Sequence, residues 1–246
     1  MRNRRWICLL LAVLTLLACT ACGVKTNDGA SGDVRTLTDS KNRTVEVPKQ
    51  VDRVMCGGVG ELYGLETRAQ ELTKYLKGIQ TDLDTRTAKI ADDQKPSVYV
   101  GGVSFKGQHG FEGTEAGYGP FALIHAKNLA DTTGQTVAFN IDTEQVLAWD
   151  PDVIFLDPGN LDLVRSEYET NPRYFEALRA VRNGQLYSCP SFNNYSTNVG
   201  YALADAYYAG TVLFPQQFSD IDIAEKADEI LAFLLGEAYY DEMAAD

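Results

Sequence analysis

The run Val153-Ile154-Phe155-Leu156 contains no polar residue and follows the turn Asp150-Pro151-Asp152. A strand of that pattern offers apolar side chains to both faces, so it suits a sheet that is covered on both sides. Ser97-Val-Tyr-Val100 repeats the pattern and runs into Gly101-Gly102. Residues 185–189 supply a further strand, closed off from what precedes it by Asn183-Gly184. Thr136-Val-Ala-Phe139 reads as another short strand. Between and after these lie helical stretches at 119–129, 143–149, 160–169, 172–182, 198–213 and 222–235. Strand and helix in alternation predict an α/β lobe, a parallel sheet covered by helices on both sides.

A long helix over 60–91 precedes that lobe. Leu62, Leu65, Ala69, Leu72, Leu76, Ile79, Leu83 and Ile90 keep a three-to-four spacing on one stripe, and the other faces carry Glu, Lys, Gln, Asp and Arg. The stripe lacks the regular flanking charge pairs of a coiled coil, so one face buried against a single domain is expected. Upstream, residues 36–48 alternate around Ser40-Lys-Asn42 and read as a hairpin. Val51-Asp-Arg-Val-Met55 reads as a short strand.

Two loops hold the residues suited to ligand chemistry. Residues 104–118 contain Gly107, Gly110, Gly113 and Gly117 together with Lys106, His109, Glu112, Glu115 and Tyr118. This loop follows a strand, and ligands of open α/β sheets bind beyond the carboxyl ends of the strands. Residues 190–198 follow the strand at 185–189 and hold Asn193, Asn194 and Tyr195. If the two strands are neighbours, both loops open on one edge of the sheet. The candidate ligand-facing set is Lys106, His109, Glu115, Tyr118, Asn194 and Tyr195. Thr197 or Asn198 can instead serve as a helix N-cap.

The chemistry the sequence excludes is equally informative. It has no Gly-x-Ser-x-Gly elbow, no P-loop and no dinucleotide-binding glycine motif, so an enzyme is not expected. His109 and His125 are too few for a multi-histidine zinc site, and no metal site is expected.

The first nineteen residues read as an export signal. Arg2, Arg4 and Arg5 precede an apolar run from Trp6 to Leu17, shorter than the about 20 residues that span a bilayer. Leu16-Leu17-Ala18-Cys19 resembles a bacterial lipobox, which implies lipidation of Cys19, with Cys22 as the alternative. The chain is then a membrane-anchored lipoprotein on the extracytoplasmic face, and residues 19–35, rich in Gly, Ser, Asp and Asn, are its flexible tether. The formal charge is -12, and residues 1–18 hold three arginines and no acid. Such a surface disfavours nucleic acid and anionic lipid. In that compartment a disulfide between Cys56 and Cys189 is allowed.

Several segments together resemble a known family. Asp39-Ser-Lys-Asn-Arg-Thr-Val-Glu-Val-Pro48 with Val51-Asp-Arg-Val54, then Thr143 to Leu156, then Phe175-Glu-Ala-Leu-Arg-Ala-Val-Arg-Asn-Gly-Gln-Leu-Tyr187, resemble ABC-transporter substrate-binding proteins of the helical-backbone metal receptor type. The resemblance implies capture of an iron-siderophore, haem or cobalamin, and delivery to an ABC permease. It also implies two α/β lobes joined by one long helix. Here only about forty residues separate the tether's start from that helix, whereas a lobe takes on the order of 100. The expected organisation is therefore a signal at 1–18, a tether at 19–35, a remnant of the first lobe at 36–59, a backbone helix at 60–93 and an intact α/β lobe at 94–246. The rival expectation is a non-transport surface lipoprotein that binds another protein, or a remnant without function.

Overall fold

The computed structural model describes residues 34–38, 44–48, 65–194 and 196–245. The chain divides into two compact units, residues 1–71 and 72–246. In the first, β1 (Val34–Thr38) and β2 (Thr44–Pro48) form the expected antiparallel hairpin, with Val34 opposite Pro48 and Thr38 opposite Thr44. The turn at 40–42 and the strand expected at 51–55 lie outside the described residues.

Helix α1 runs from Glu66 to Thr87. It stops short of the expected residue 91, and the amide of Ile90 closes a turn on the Thr87 carbonyl. Within the second unit its stripe divides. Ile79 and Leu83 are buried, while Leu76 is 36% exposed. Arg86, in the last turn, pins the helix. Its guanidinium grips both carboxylate oxygens of Asp220 at 2.6 and 2.8 Å and also meets Asp82 and the Gln217 carbonyl. That bidentate fork fixes geometry as well as charge.

The main sheet has four parallel strands in the order β5 (Lys127–Asn128), β3 (Ser97–Gly101), β7 (Val153–Leu156), β8 (Leu186–Ser188). Val98 pairs with Val153, and Ile154 with Leu186. Alternation along the two central strands feeds two separate cores, which is why they need no polar face. Val98, Val100, Val153 and Phe155 join Phe121, Tyr207 and Leu83 on one side. Tyr99, Ile154 and Leu156 join Val146, Val164, Phe175 and Leu178 on the other.

Helices α2 (Gly119–Leu123), α3 (Thr143–Trp149), α4 (Leu161–Thr170), α5 (Pro172–Ala177), α6 (Arg179–Arg182), α7 (Val199–Leu213), α8 (Ile223–Leu235) and α9 (Tyr240–Ala245) complete the second unit. Three expectations are corrected. The stretch 119–129 is not one helix: His125 adopts a left-handed φ of 51°, and the chain then enters β5. The side chain of Asn128 donates to the Glu115 carbonyl and to Asp131, ties that a continuous helix would forfeit. The strand near 136–139 is β6 (Ala138–Asn140), which pairs antiparallel with β4 (Gly113–Glu115) outside the main sheet. The helix expected over 172–182 breaks at Leu178. There the Arg179 amide donates to Asp150 at 2.6 Å and its guanidinium to the Asp150 carbonyl.

Candidate functional site

Strands β3, β7 and β8 run parallel, so the segments that leave them emerge from one edge of the sheet. The loops 104–118 and 190–198 thus share that edge, although β7 lies between their strands and the two are not neighbours. The segment after β7 joins them. Asp157 accepts from the Gly159 amide at 2.9 Å and from the Ser191 hydroxyl at 3.2 Å. Tyr118 packs on Phe192 with ring centroids 5.4 Å apart. Asn160 donates to the Gly102 carbonyl at 2.6 Å and to the Ser104 hydroxyl at 2.7 Å.

The glycine-rich loop is stitched down rather than free. Gly102, at φ 76°, turns the chain off β3. The Tyr99 hydroxyl donates to the Phe111 carbonyl at 2.7 Å, and the Phe111 amide donates to Glu167 of α4 at 2.8 Å. Glu112 stands beside Glu167. Burial, with the neighbouring Glu112, pushes the Glu167 carboxyl above its ordinary range, against the pull of the Phe111 amide.

The candidate residues fare differently. Lys106 is exposed, at a left-handed φ of 50°. His109 stacks on Phe105 at 3.9 Å and its ring nitrogen meets the Phe105 carbonyl, so it is engaged within its own loop. Glu115 sits in β4, half-buried, and burial pushes its carboxyl up. Tyr118 is only 5% exposed and its ring belongs to the core, packed on Phe121 and Phe192, so it is not presented for stacking. Asn194 lies in β9 (Asn193–Asn194), which pairs with β10 (Ser196–Thr197). Tyr195 and the side chain of Asn194 lie outside the described residues. Asn198 takes the N-cap role, accepting from the Tyr201 amide.

Sequence reasoning passed over Asp157 and Asp205. Asp205, on α7, is 1% exposed and its Oδ2 has no partner. Burial and the neighbouring Asp157 push its carboxyl well above the usual range. Burial does the same to Asp157, partly offset by its two hydrogen bonds. Burial, with Cys189, Asp205, Asp157 and Glu115 nearby, drives the Tyr118 hydroxyl well up. Asp205 had a signal: it is the one charged residue in the fifteen residues of α7. Cys189 is buried and free of any disulfide. Cys56 lies outside the described residues. Among the described residues no three His, Cys, Asp or Glu side chains are placed to hold a metal, and no helix is long and apolar enough to cross a membrane.

A family model for periplasmic binding proteins matches residues 26–192. A periplasmic solute binding protein from Veillonella parvula DSM 2008 has a similar structure, with a TM-score of 0.59 at 16% identity over 75% of this chain and 56% of that one. The TroA-like periplasmic binding protein FepB from Veillonella parvula gives 0.54 at 24% identity, over 73% and 56%. Haemophilus influenzae MolA, solved with molybdate, gives 0.57 at 18% identity, over 73% and 54%. At such identities the likeness shows the fold alone. The chain spans little more than half the length of these structures. A comparison with curated protein sequences gave no match.

Proposed function

The chain belongs to the periplasmic binding protein family, and on that footing we propose that it is the extracytoplasmic substrate-binding component of an ABC importer. The solute is an iron chelate, haem or a related cofactor, handed to a membrane permease. Cys19 carries the lipid that holds the chain at the membrane, and no catalysis is involved. The observation that carries this reading is the shared edge: three connections leave the carboxyl ends of parallel strands and are joined through Asp157, Ser191, Tyr118 and Phe192. Ligands of open α/β sheets settle at such edges.

The chain presents one lobe of a two-lobed cleft, so its affinity is low. Pockets that bury most of a ligand form at domain interfaces. A two-lobed receptor of micromolar affinity holds its ligand by about 8 kcal/mol. Losing about 3–4 kcal/mol of contacts moves the dissociation constant by two to three decades, toward millimolar. Titration calorimetry with ferric siderophores, haem and cobalamin tests this. Saturable binding of one of them in the high-micromolar to millimolar range is expected. No binding by any of them refutes the reading, and submicromolar binding refutes the one-lobe argument. Mass spectrometry of the mature N-terminal peptide decides the lipid at Cys19.

A further inference from the structure

The Phe111 peptide is held from both sides. Its carbonyl accepts from the Tyr99 hydroxyl of β3 at 2.7 Å, and its amide donates to Glu167 Oε2 of α4 at 2.8 Å. The Phe111 ring is buried and stands edge-on to Phe175, with 5.1 Å between centroids, so this peptide anchors the glycine-rich loop in the core. Glu112 follows in the loop, and its Oε1 accepts from the Gly110 amide at 3.3 Å. A Cβ on Gly110 would overlap Glu167 Oε1 and stand 2.8 Å from Glu112 Oε2. Two carboxyl groups, one from the loop and one from α4, therefore meet on the bare side of that glycine. Gly110 is not among the residues with positive φ, so it serves to make room for them.

Two ionised carboxylates so placed repel each other, whereas one proton between them turns the repulsion into a hydrogen bond. The titratable groups that face Glu167 are Glu112 from the loop, Tyr99 from β3 and Tyr174 from α5. Among the described residues neither Glu112 nor Glu167 has a basic partner, and Arg165 of the same helix pairs with Asp162. Glu167 also lines a cavity of about 300 Å³, beside Thr143, Ser166 and Tyr174, that opens to solvent. Its carboxyl is raised in the folded chain, so what the protonated pair contributes is full below the unfolded value of about 4.3 and is lost as pH rises through the folded value.

We propose that Glu112 and Glu167 form a proton-dependent latch, which holds the glycine-rich loop against α4 while the pair keeps one proton and loosens it when that proton is lost. On loosening, the proton leaves to solvent and a second negative charge appears beside the first, next to the carboxylate that holds the Phe111 amide. The loop is the segment that leaves β3 at the shared edge and carries Lys106 and His109. The latch therefore sets how firmly that side of the edge is ordered. It is a property of the chain without ligand and does not depend on which solute the edge takes.

Hydrogen exchange of the full chain without ligand, read by mass spectrometry and corrected for intrinsic rates, tests this at pH 5 and pH 8. Protection of peptides covering residues 105–113 should fall at least about threefold from the lower to the higher pH in the wild type. Glu112→Gln, whose amide donates to Glu167 without a charge, should keep protection within about twofold across that range. Glu167→Ala, which takes the acceptor from the Phe111 amide, should be poorly protected at both; if that variant does not fold, the wild type and Glu112→Gln carry the test. His109→Asn should keep the wild-type fall, because His109 engages Phe105 and not the pair. Equal protection of the wild-type loop at both pH values overturns the proposal. So does an equal fall in Glu112→Gln, loss of the fall in His109→Asn, or a fall of the same size in peptides of β7, which would mean that the whole unit opens.

Discussion

Two glycines in helices of the second unit make opposite predictions for one substitution. At Gly78 in α1, a Cβ would meet nothing within 4 Å. At Gly210 in α7, a Cβ would lie 2.4, 2.5 and 2.8 Å from three atoms of the Phe218 ring. That ring is 1% exposed, stands edge-on to Tyr207 at 6.2 Å and has the Arg86 guanidinium 5.2 Å from its centroid. Carbon atoms prefer to stand about 3.5–4.0 Å apart, so the ring would have to retreat by about 1 Å. The interior around it leaves no room for that, and overpacking of a filled core costs about 1–3 kcal/mol. Both substitutions gain about 1 kcal/mol from helix propensity. Gly78→Ala should therefore stabilise by about 1 kcal/mol, and Gly210→Ala should destabilise by about 1 kcal/mol net. For a chain of this size each kcal/mol moves the midpoint by about 2–4 °C, so the two variants should separate by about 4–8 °C. Thermal and urea unfolding followed by circular dichroism measure this. Adding Phe218→Leu should relieve the clash, so Gly210→Ala should cost less in that background than in the wild type. If both alanine variants are stabilised equally, the packing of Phe218 over the α7 backbone is not as described.

Two further outcomes follow from buried ionisable groups. The Asp205 carboxyl is raised in the folded chain, so its contribution to stability is full below the unfolded value near 3.9 and is lost as pH rises toward the folded value; Asp205→Asn should leave the midpoint nearly unchanged at pH 4 and raise it at pH 8, and equal effects at both would refute the assignment. Burial also pushes the Cys189 thiol well up, so peptide mapping after brief treatment with a maleimide should find Cys189 unlabelled in the native chain and labelled in urea; rapid native labelling would show that the loop 190–198 opens readily.

The central strands were legible because burial on both faces writes itself as an unbroken apolar run. Val153–Leu156 needed no tertiary knowledge, and neither did α3 or the cap of α7. What failed was local periodicity overridden by one polar tie. Asp150 capturing Arg179 breaks a stretch that reads as a single helix, and Asn128 ends another. Neither tie has a spacing signature, since the partners lie 29 and 13 residues apart. The site was legible as two loops on one edge but not in its members. Tyr118 looked like a ligand-facing aromatic because loop position says nothing about burial.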